Sequence, residues 1–292
     1  MIIISLTGQG AGMAADAIIS VGELARVLSL SEQDSIAVLK AFLDQSYDNG
    51  GELHILSGFV APVKTWERIE QQWLTELDKF GIKKGYHSKD CYHGNGEFEN
   101  LDDPQRDTIT KKLVRIITHT SPLTNIKRSD IYGVTIATPG LDFYEIMPAY
   151  GYPHPYGYLY QRAIRRIGRW TYEKNSAEQV SIITDRGEFP GTAGDVFSRV
   201  KEDERIDFRE RACLLTTFPL SVQESPGLQA SDLLAHRTLK HRLGRLDRGV
   251  IDAIKKDIRL ESEMMDTEAL LKTLDALPRF DWKEEANLLL RK

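Results

Sequence analysis

Two apolar runs constrain this chain more than any other feature, because each ends abruptly on an aspartate. SIAVLKAFLD (residues 35–44) runs into Asp44, and VSIITD (residues 180–185) runs into Asp185. Both read as buried strands. Burying a lone charge is costly, so an aspartate in such a place is hydrogen-bonded at a turn or held beside a cation. Turn chemistry alone covers the first run, since Asp48, Asn49, Gly50 and Gly51 follow closely. If the two strands lie side by side and parallel, their carboxylates face one another across about 5 Å, the strand spacing.

The surroundings set this pair in a recognisable order. ELHILSGFVA reads as a second strand, and SYDNGG before it as the turn of an antiparallel hairpin. From Pro62 to Phe80 the stripe Trp66, Ile69, Trp73, Leu77, Phe80 predicts a helix that stops at Gly81. KKGYHSKDCYHGNGEFEN reads as a short strand leading into a glycine-rich loop. A helix over residues 104–120, a strand at IYGVTIAT and a helix at PYGYLYQRAIRRIGRWTYEK follow. After VSIITD come a helix near AGDVFSRVKE, a strand near CLLTTFPLSV and the helix SPGLQASDLLAHRTLKHRL. VIDAIKKDIRLESEMMDTEALLKTLDAL reads as two further helices. A hairpin followed by strands alternating with helices predicts a mixed sheet with helices on its faces. Ligands of such sheets gather at the carboxyl ends of strands, where Asp44 and Asp185 stand.

The chain thus divides into residues 1–34, a domain over 35–248, and a helical extension over 249–292 packed on that domain. The first segment is rich in Gly and Ala, with VGELARVLSLSEQ readable as one amphipathic helix, and is read as a mobile arm or helix, or as a start codon placed too far upstream. Its GQGAGMAA lacks the Lys-Ser/Thr of a phosphate-binding loop. With 292 residues, 41% hydrophobic and 28% charged, the composition is that of a soluble globular protein. A net charge of −5 gives no global attraction to nucleic acid, so such contact needs a local basic patch. Cys91 and Cys213 are too few for a disulfide framework. MIIISL is too short for a signal-peptide core, and no run approaches the roughly 20 apolar residues of a membrane helix. A cytoplasmic location is the expectation.

A third acid, Asp232, belongs to a polar stripe on the LQASDLLAH helix. Gln229, Asp232, His236 and Lys240 recur at near-helical spacing beside Leu228, Ala235 and Leu239. A surface position near the helix N-terminus, where the dipole favours acid, accounts for Asp232 equally well.

FLDQSYDNGGELHILSGFV, YHSKDCYHGNGEFEN, VSIITD and SPGLQASDLLAH occur here in one order. In that order they resemble the bacterial domain-of-unknown-function 3800 family, over roughly residues 36–246. That family shows Asp-Glu-Ser after its first strand, a His-centred loop, an Asp ending a later strand, and Leu-Gln-x-x-Asp on a late helix. The resemblance implies a ribonuclease-H-like α/β fold with additional C-terminal helices here. It places Asp44, Asp185 and Asp232 as metal-binding and catalytic acids, with His87 assisting and Asp90 three residues on. Ser46 takes the place of the family's Ser and is assigned to substrate. Gln45 departs from the usual Glu; by strand alternation it points away from Asp44, towards the side of Leu43 and Ala41.

Three carboxylates in one place repel, so they share a proton or a cation. Oxygen ligands of this kind suit Mg²⁺ or Mn²⁺, and a pair of such ions promotes phosphodiester hydrolysis. The expectation is a divalent-metal-dependent nuclease. The alternative is a non-catalytic nucleic-acid-binding or protein-interaction module on the same fold, tied to mobile elements or defence. His87, Asp90, Cys91 and His93 crowd one loop but lack zinc-site spacing. Arg237 and Lys240, with His241, Arg242, Arg245 and Arg248, form a basic stripe after Asp232 that suits a phosphate backbone. Arg162, Arg165, Arg166 and Arg169 read better as a solvated face. Tyr144, Tyr150, Tyr152, Tyr156, Tyr158 and Tyr160 serve either base stacking or core packing.

Overall fold

The computed structural model describes residues 38–48, 50–118, 130–150, 152–186, 190–245 and 249–274. The expectations for residues 1–34 and for Arg248 lie outside them. In chain order the first elements are β1 (Val38–Tyr47), β2 (Leu53–Pro62), α1 (Val63–Asp78), α2 (Ser88–His93) and α3 (Asp103–Thr118). Next come β3 (Tyr132–Pro139), α4 (Gly140–Ile146), α5 (Pro155–Lys174), β4 (Gln179–Asp185), α6 (Pro190–Glu202) and α7 (Phe208–Arg211). The last are β5 (Leu214–Leu220), α8 (Pro226–Arg242), α9 (Gly249–Asp257), β6 (Arg259–Met264) and α10 (Thr267–Leu274).

The strands form one six-stranded mixed sheet in the order β5-β4-β1-β2-β3-β6. β1, β2 and β3 make an antiparallel meander. β4 joins β1 in parallel, β5 joins β4 in parallel, and β6 joins β3 in parallel. The β1–β4 register runs to Leu43 opposite Thr184, which brings the next residues, Asp44 and Asp185, side by side where that ladder ends, while β1 itself continues beside β2 to Tyr47.

Strand alternation divides the core into two layers. Leu39, Ala41 and Leu43 of β1, with Val180 and Ile182 of β4, pack under Leu159, Ile164 and Ile167 of α5 and Val196 and Val200 of α6. Phe42 and Ile183 point to the other layer, against Trp66 and Trp73 of α1, Leu113 of α3, and Leu228 and Leu234 of α8. Asp44 and Asp185, two residues beyond Phe42 and Ile183, carry on the phase of the second layer and face α8.

Helix α8 lies close on β1. The Ser231 hydroxyl donates to the Phe42 carbonyl at 2.8 Å. Gly227 allows this approach, because a Cβ there would fall 2.5 Å from the Phe42 ring. Leu228, Ala230, Leu233, Leu234 and Asp232 of the helix are all buried, so Asp232 is not a surface acid.

Three expectations are corrected. The segment around KKGYH is not a strand: Lys83 and Lys84 donate their amides to the Glu97 carboxylate, and Tyr86 donates its amide to Gln229. Short helical turns follow at Ser88–His93 and Gly96–Phe98. The C-terminal extension is not wholly helical: its two expected helices, α9 and α10, form, but RLESEM between them is edge strand β6. Helix α4 was not foreseen. The arginines of α5 are not a solvated face: Arg162 and Arg166 pair with Glu263, Arg166 also with Glu261, and Arg165 and Arg169 with Glu210. These pairs tie α5 to the edge strand and to α7. Being partly exposed, each is worth at most about 1 kcal/mol.

The contact of Gly227 with Phe42 supplies a test of the α8 seat. Gly227→Ala should destabilise the protein by about 1–3 kcal/mol, the usual cost of overpacking, read from urea unfolding.

Candidate functional site

The carboxyl ends of β1 and β4 and the facing side of α8 enclose an open cleft of about 1100 Å³. Asp44, Asp185, Asp232, His87 and Ser46 all line it, as do Gln45, Lys89, His93, Arg186, His236, Lys240 and Arg245. Five of the residues assigned to the site from sequence, the three acids with His87 and Ser46, are therefore brought together with Lys240. Arg237 is not: its Nη2 donates to Thr110 Oγ1 at 3.0 Å, and it lines a separate cavity with Lys111 and Arg115. On a helix one residue is about 100° of rotation, so Arg237 follows His236 in sequence but leaves the cleft.

Each acid is anchored by a backbone amide. Asp44 Oδ1 accepts from the Gln45 amide at 2.8 Å, Asp185 Oδ1 from the Val222 amide at 3.2 Å, and Asp232 Oδ2 from the Ser88 amide at 2.6 Å. The last of these fastens α8 to the start of α2. Gln229 does the same one turn earlier: its Oε1 accepts from Trp73 Nε1 at 2.8 Å and from the Tyr86 amide at 2.9 Å. His236 continues the stripe, with Nδ1 3.1 Å from the Ser88 hydroxyl. The polar stripe read from the sequence is thus a seam that holds residues 86–88 over the helix.

The electrostatics are those of crowded acid. Burial raises the Asp44 carboxyl well above the usual range, and the charges of Asp232 and then Asp185 raise it further, against the lowering effect of the Gln45 amide. Asp232 is raised to about 6, chiefly by burial, with Asp185 and Asp90 adding and His87 and the Ser88 amide opposing. His236 is lowered to about 3 by burial and by Lys240 and Arg237, so it is neutral at physiological pH. His87 is more exposed, with Nδ1 3.0 Å from Asp90 Oδ2.

Among the described residues no group of three or more His, Cys, Asp or Glu is drawn together closely enough to hold an ion as it stands. The acids share the cleft, and crowding raises the proton affinity of Asp44 and Asp232, without forming a closed cage. That donor set still fits Mg²⁺ or Mn²⁺, which keep several waters and take only one or two direct carboxylates. A zinc site in the His87–His93 turn does not fit, because Cys91 is buried with its Sγ near Thr110 and the Arg106 carbonyl.

The tyrosine cluster also divides. Tyr152, Tyr156, Tyr158 and Tyr160 are buried in the α5 layer, and Tyr144 is exposed; the Tyr150 side chain lies outside the described residues. Sequence reasoning did not single out Lys89 or Arg186, each a lone surface cation without periodic context. It named His236 only as part of a stripe. No family model matches the chain, and no curated protein is similar to it at a significant level.

Two outcomes follow from this geometry. Gln229→Ala leaves two buried donors unpaired and should cost about 2 kcal/mol or more in unfolding free energy. The second concerns pH. A carboxyl whose proton affinity is higher folded than unfolded stabilises the fold below its unfolded value near 3.9, and loses that contribution as pH rises through its folded value. For Asp232 the loss runs from about pH 4 to about pH 6, and for Asp44 it extends above the ordinary carboxylate range. Asp44→Asn removes one such acid. With chelator present, its thermal stability should exceed that of wild type by more at pH 8 than at pH 5. A pH-independent difference would count against repulsion among the three acids.

Proposed function

We propose that this protein is a ribonuclease-H-like, divalent-metal-dependent nuclease related to the domain-of-unknown-function 3800 family. The single observation that carries the reading is that Asp44, Asp185 and Asp232, from two adjacent strand ends and a facing helix, line one cleft together with basic residues. The antiparallel meander of β1 to β3, extended in parallel by β4 and β5, supports the fold assignment.

Asp44, Asp185 and Asp232 would hold Mg²⁺ or Mn²⁺. A bound ion of this kind supplies Lewis acidity at a phosphoryl oxygen and lowers the proton affinity of a bound water. The residues of the chain do the rest. The amides of Gln45, Val222 and Ser88 orient the carboxylates, which limits reorganisation when charge changes. Lys89, Lys240, Arg186 and Arg245 at the cleft offset a polyanion that an acidic pool would otherwise repel. His87, oriented by Asp90, is a partly exposed proton carrier there. A second reading, a non-catalytic nucleic-acid-binding module, draws on Gln45 in place of the family's Glu.

The deciding experiment is a cleavage assay on single- and double-stranded DNA and RNA with Mg²⁺ or Mn²⁺, with Asp185→Asn as control. Loss of more than about 100-fold is expected for that variant, since even groups that only orient a metal ligand are worth 10- to 100-fold. Either metal should also raise the melting temperature, by the equivalent of about 2.7 kcal/mol at one hundred times its dissociation constant, and Asp44→Asn should blunt the response. No cleavage together with a melting curve indifferent to metal would favour the non-catalytic module.

A further inference from the structure

His236 is 4% exposed, and its Nε2 is buried without a hydrogen-bond partner among the described residues. The residue nevertheless lines the cleft that holds Asp44, Asp185 and Asp232. An orphaned buried polar atom is unusual enough to need a cause, and at a cleft the natural cause is a ligand.

Which kind of ligand depends on whether Nε2 carries the proton, and so on the direction of the bond between His236 Nδ1 and the Ser88 hydroxyl, 3.1 Å apart. A neutral imidazole that donates from Nδ1 to Ser88 Oγ presents a lone pair at Nε2.

A cation is a poor occupant for that lone pair, because Lys240 lies one helical turn on and Arg237 is adjacent in sequence. A neutral hydroxyl attached to an anion suits it better. Lys240 packs its Nζ 4.8 Å from the centre of the Tyr92 ring, which in turn lies 5.5 Å from the His236 ring. Lys89 and Arg245 are close enough to lower the proton affinity of Lys240, and all three line the cleft. Among the described residues none of these three forms an ion pair with a carboxylate.

We propose that His236 Nε2 accepts a hydrogen bond from a ribose 2′-hydroxyl while Lys89, Lys240 and Arg245 take the adjoining phosphate, so that the cleft prefers RNA to DNA. The inference rests on the nucleic-acid reading of the cleft and adds the sugar to it. The 2′-hydroxyl is the group by which a protein separates the two polymers at a given position.

The test is fluorescence-anisotropy binding, with chelator present so that cleavage plays no part, of three single-stranded oligonucleotides of one sequence: RNA, DNA and 2′-O-methyl RNA. The 2′-O-methyl strand retains an RNA-like sugar but lacks the donor proton. Wild type should bind RNA about 3- to 10-fold more tightly than either of the others, the worth of one net hydrogen bond. His236→Ala should bring the three affinities together, and His236→Gln should restore part of the gap. Lys240→Ala should weaken all three and reduce the slope of log affinity against log salt by about 0.7. Equal binding of RNA and 2′-O-methyl RNA by wild type overturns the proposal while leaving the nuclease reading intact, and needs no variant to fold. Binding of none of the three overturns the proposal together with the nucleic-acid reading. Metal-dependent cleavage is scored separately, so its absence beside an intact RNA preference would overturn only the catalytic part.

Discussion

The arrangement of this protein depends on how closely α8 sits on the sheet. A helix that buries Asp232, Gln229 and His236 beside its leucines cannot be held by apolar contact alone, since each buried polar group needs a partner. The partners come from the chain opposite: the Phe42 carbonyl takes the Ser231 hydroxyl, Trp73 and Tyr86 donate to Gln229, and Ser88 donates to Asp232. The same bonds that satisfy the helix also place the His87 turn over the carboxylates. Packing and site assembly are here one set of interactions.

Crowding of acid is the cost of that assembly. Asp44 and Asp232 are both buried, and the fold keeps them there with one backbone amide apiece. Amides lower the energy of a carboxylate without neutralising it, so repulsion persists and appears as a raised proton affinity. A proton, or a cation, relieves it. Among the described residues Lys89, Lys240 and Arg245 of the cleft form no ion pair with Asp44 or Asp232; Lys240 instead lies over Tyr92. Opposite charges thus stay separated within one cavity, a state that a polyanion carrying divalent cations would resolve.

On the far edge, charge serves structure. Glu261 and Glu263 of β6 receive Arg162 and Arg166 of α5, and Glu210 receives Arg165 and Arg169. The two arginine-rich helices look alike as strings, yet one is spent on pairing, while the other and the turn after it contribute Lys240 and Arg245 to the cleft. Charge count distinguishes neither case. Only the partner does.

Strand and helix periodicities carried much of this in the sequence itself. The alternation of VLKAFLD set Phe42 and Asp44 on one face, the apolar run VSIITD marked a buried strand with an acid at its end, and the stripe from Gln229 to Lys240 put its polar groups on one side of a helix. These are local regularities, fixed by bond geometry within a few residues. The RLESEM strand was not legible, because its alternation is short and charged and becomes a strand only when β3 offers an open edge and α5 offers arginines. Nor was the departure of Arg237 from the cleft, which turns on a rotation about α8 that only the seat on Phe42 defines. The parallel pairing of β1 with β4, and the unpaired nitrogen of His236, also required tertiary structure. Each depends on which distant groups the fold brings together, and no local pattern encodes that.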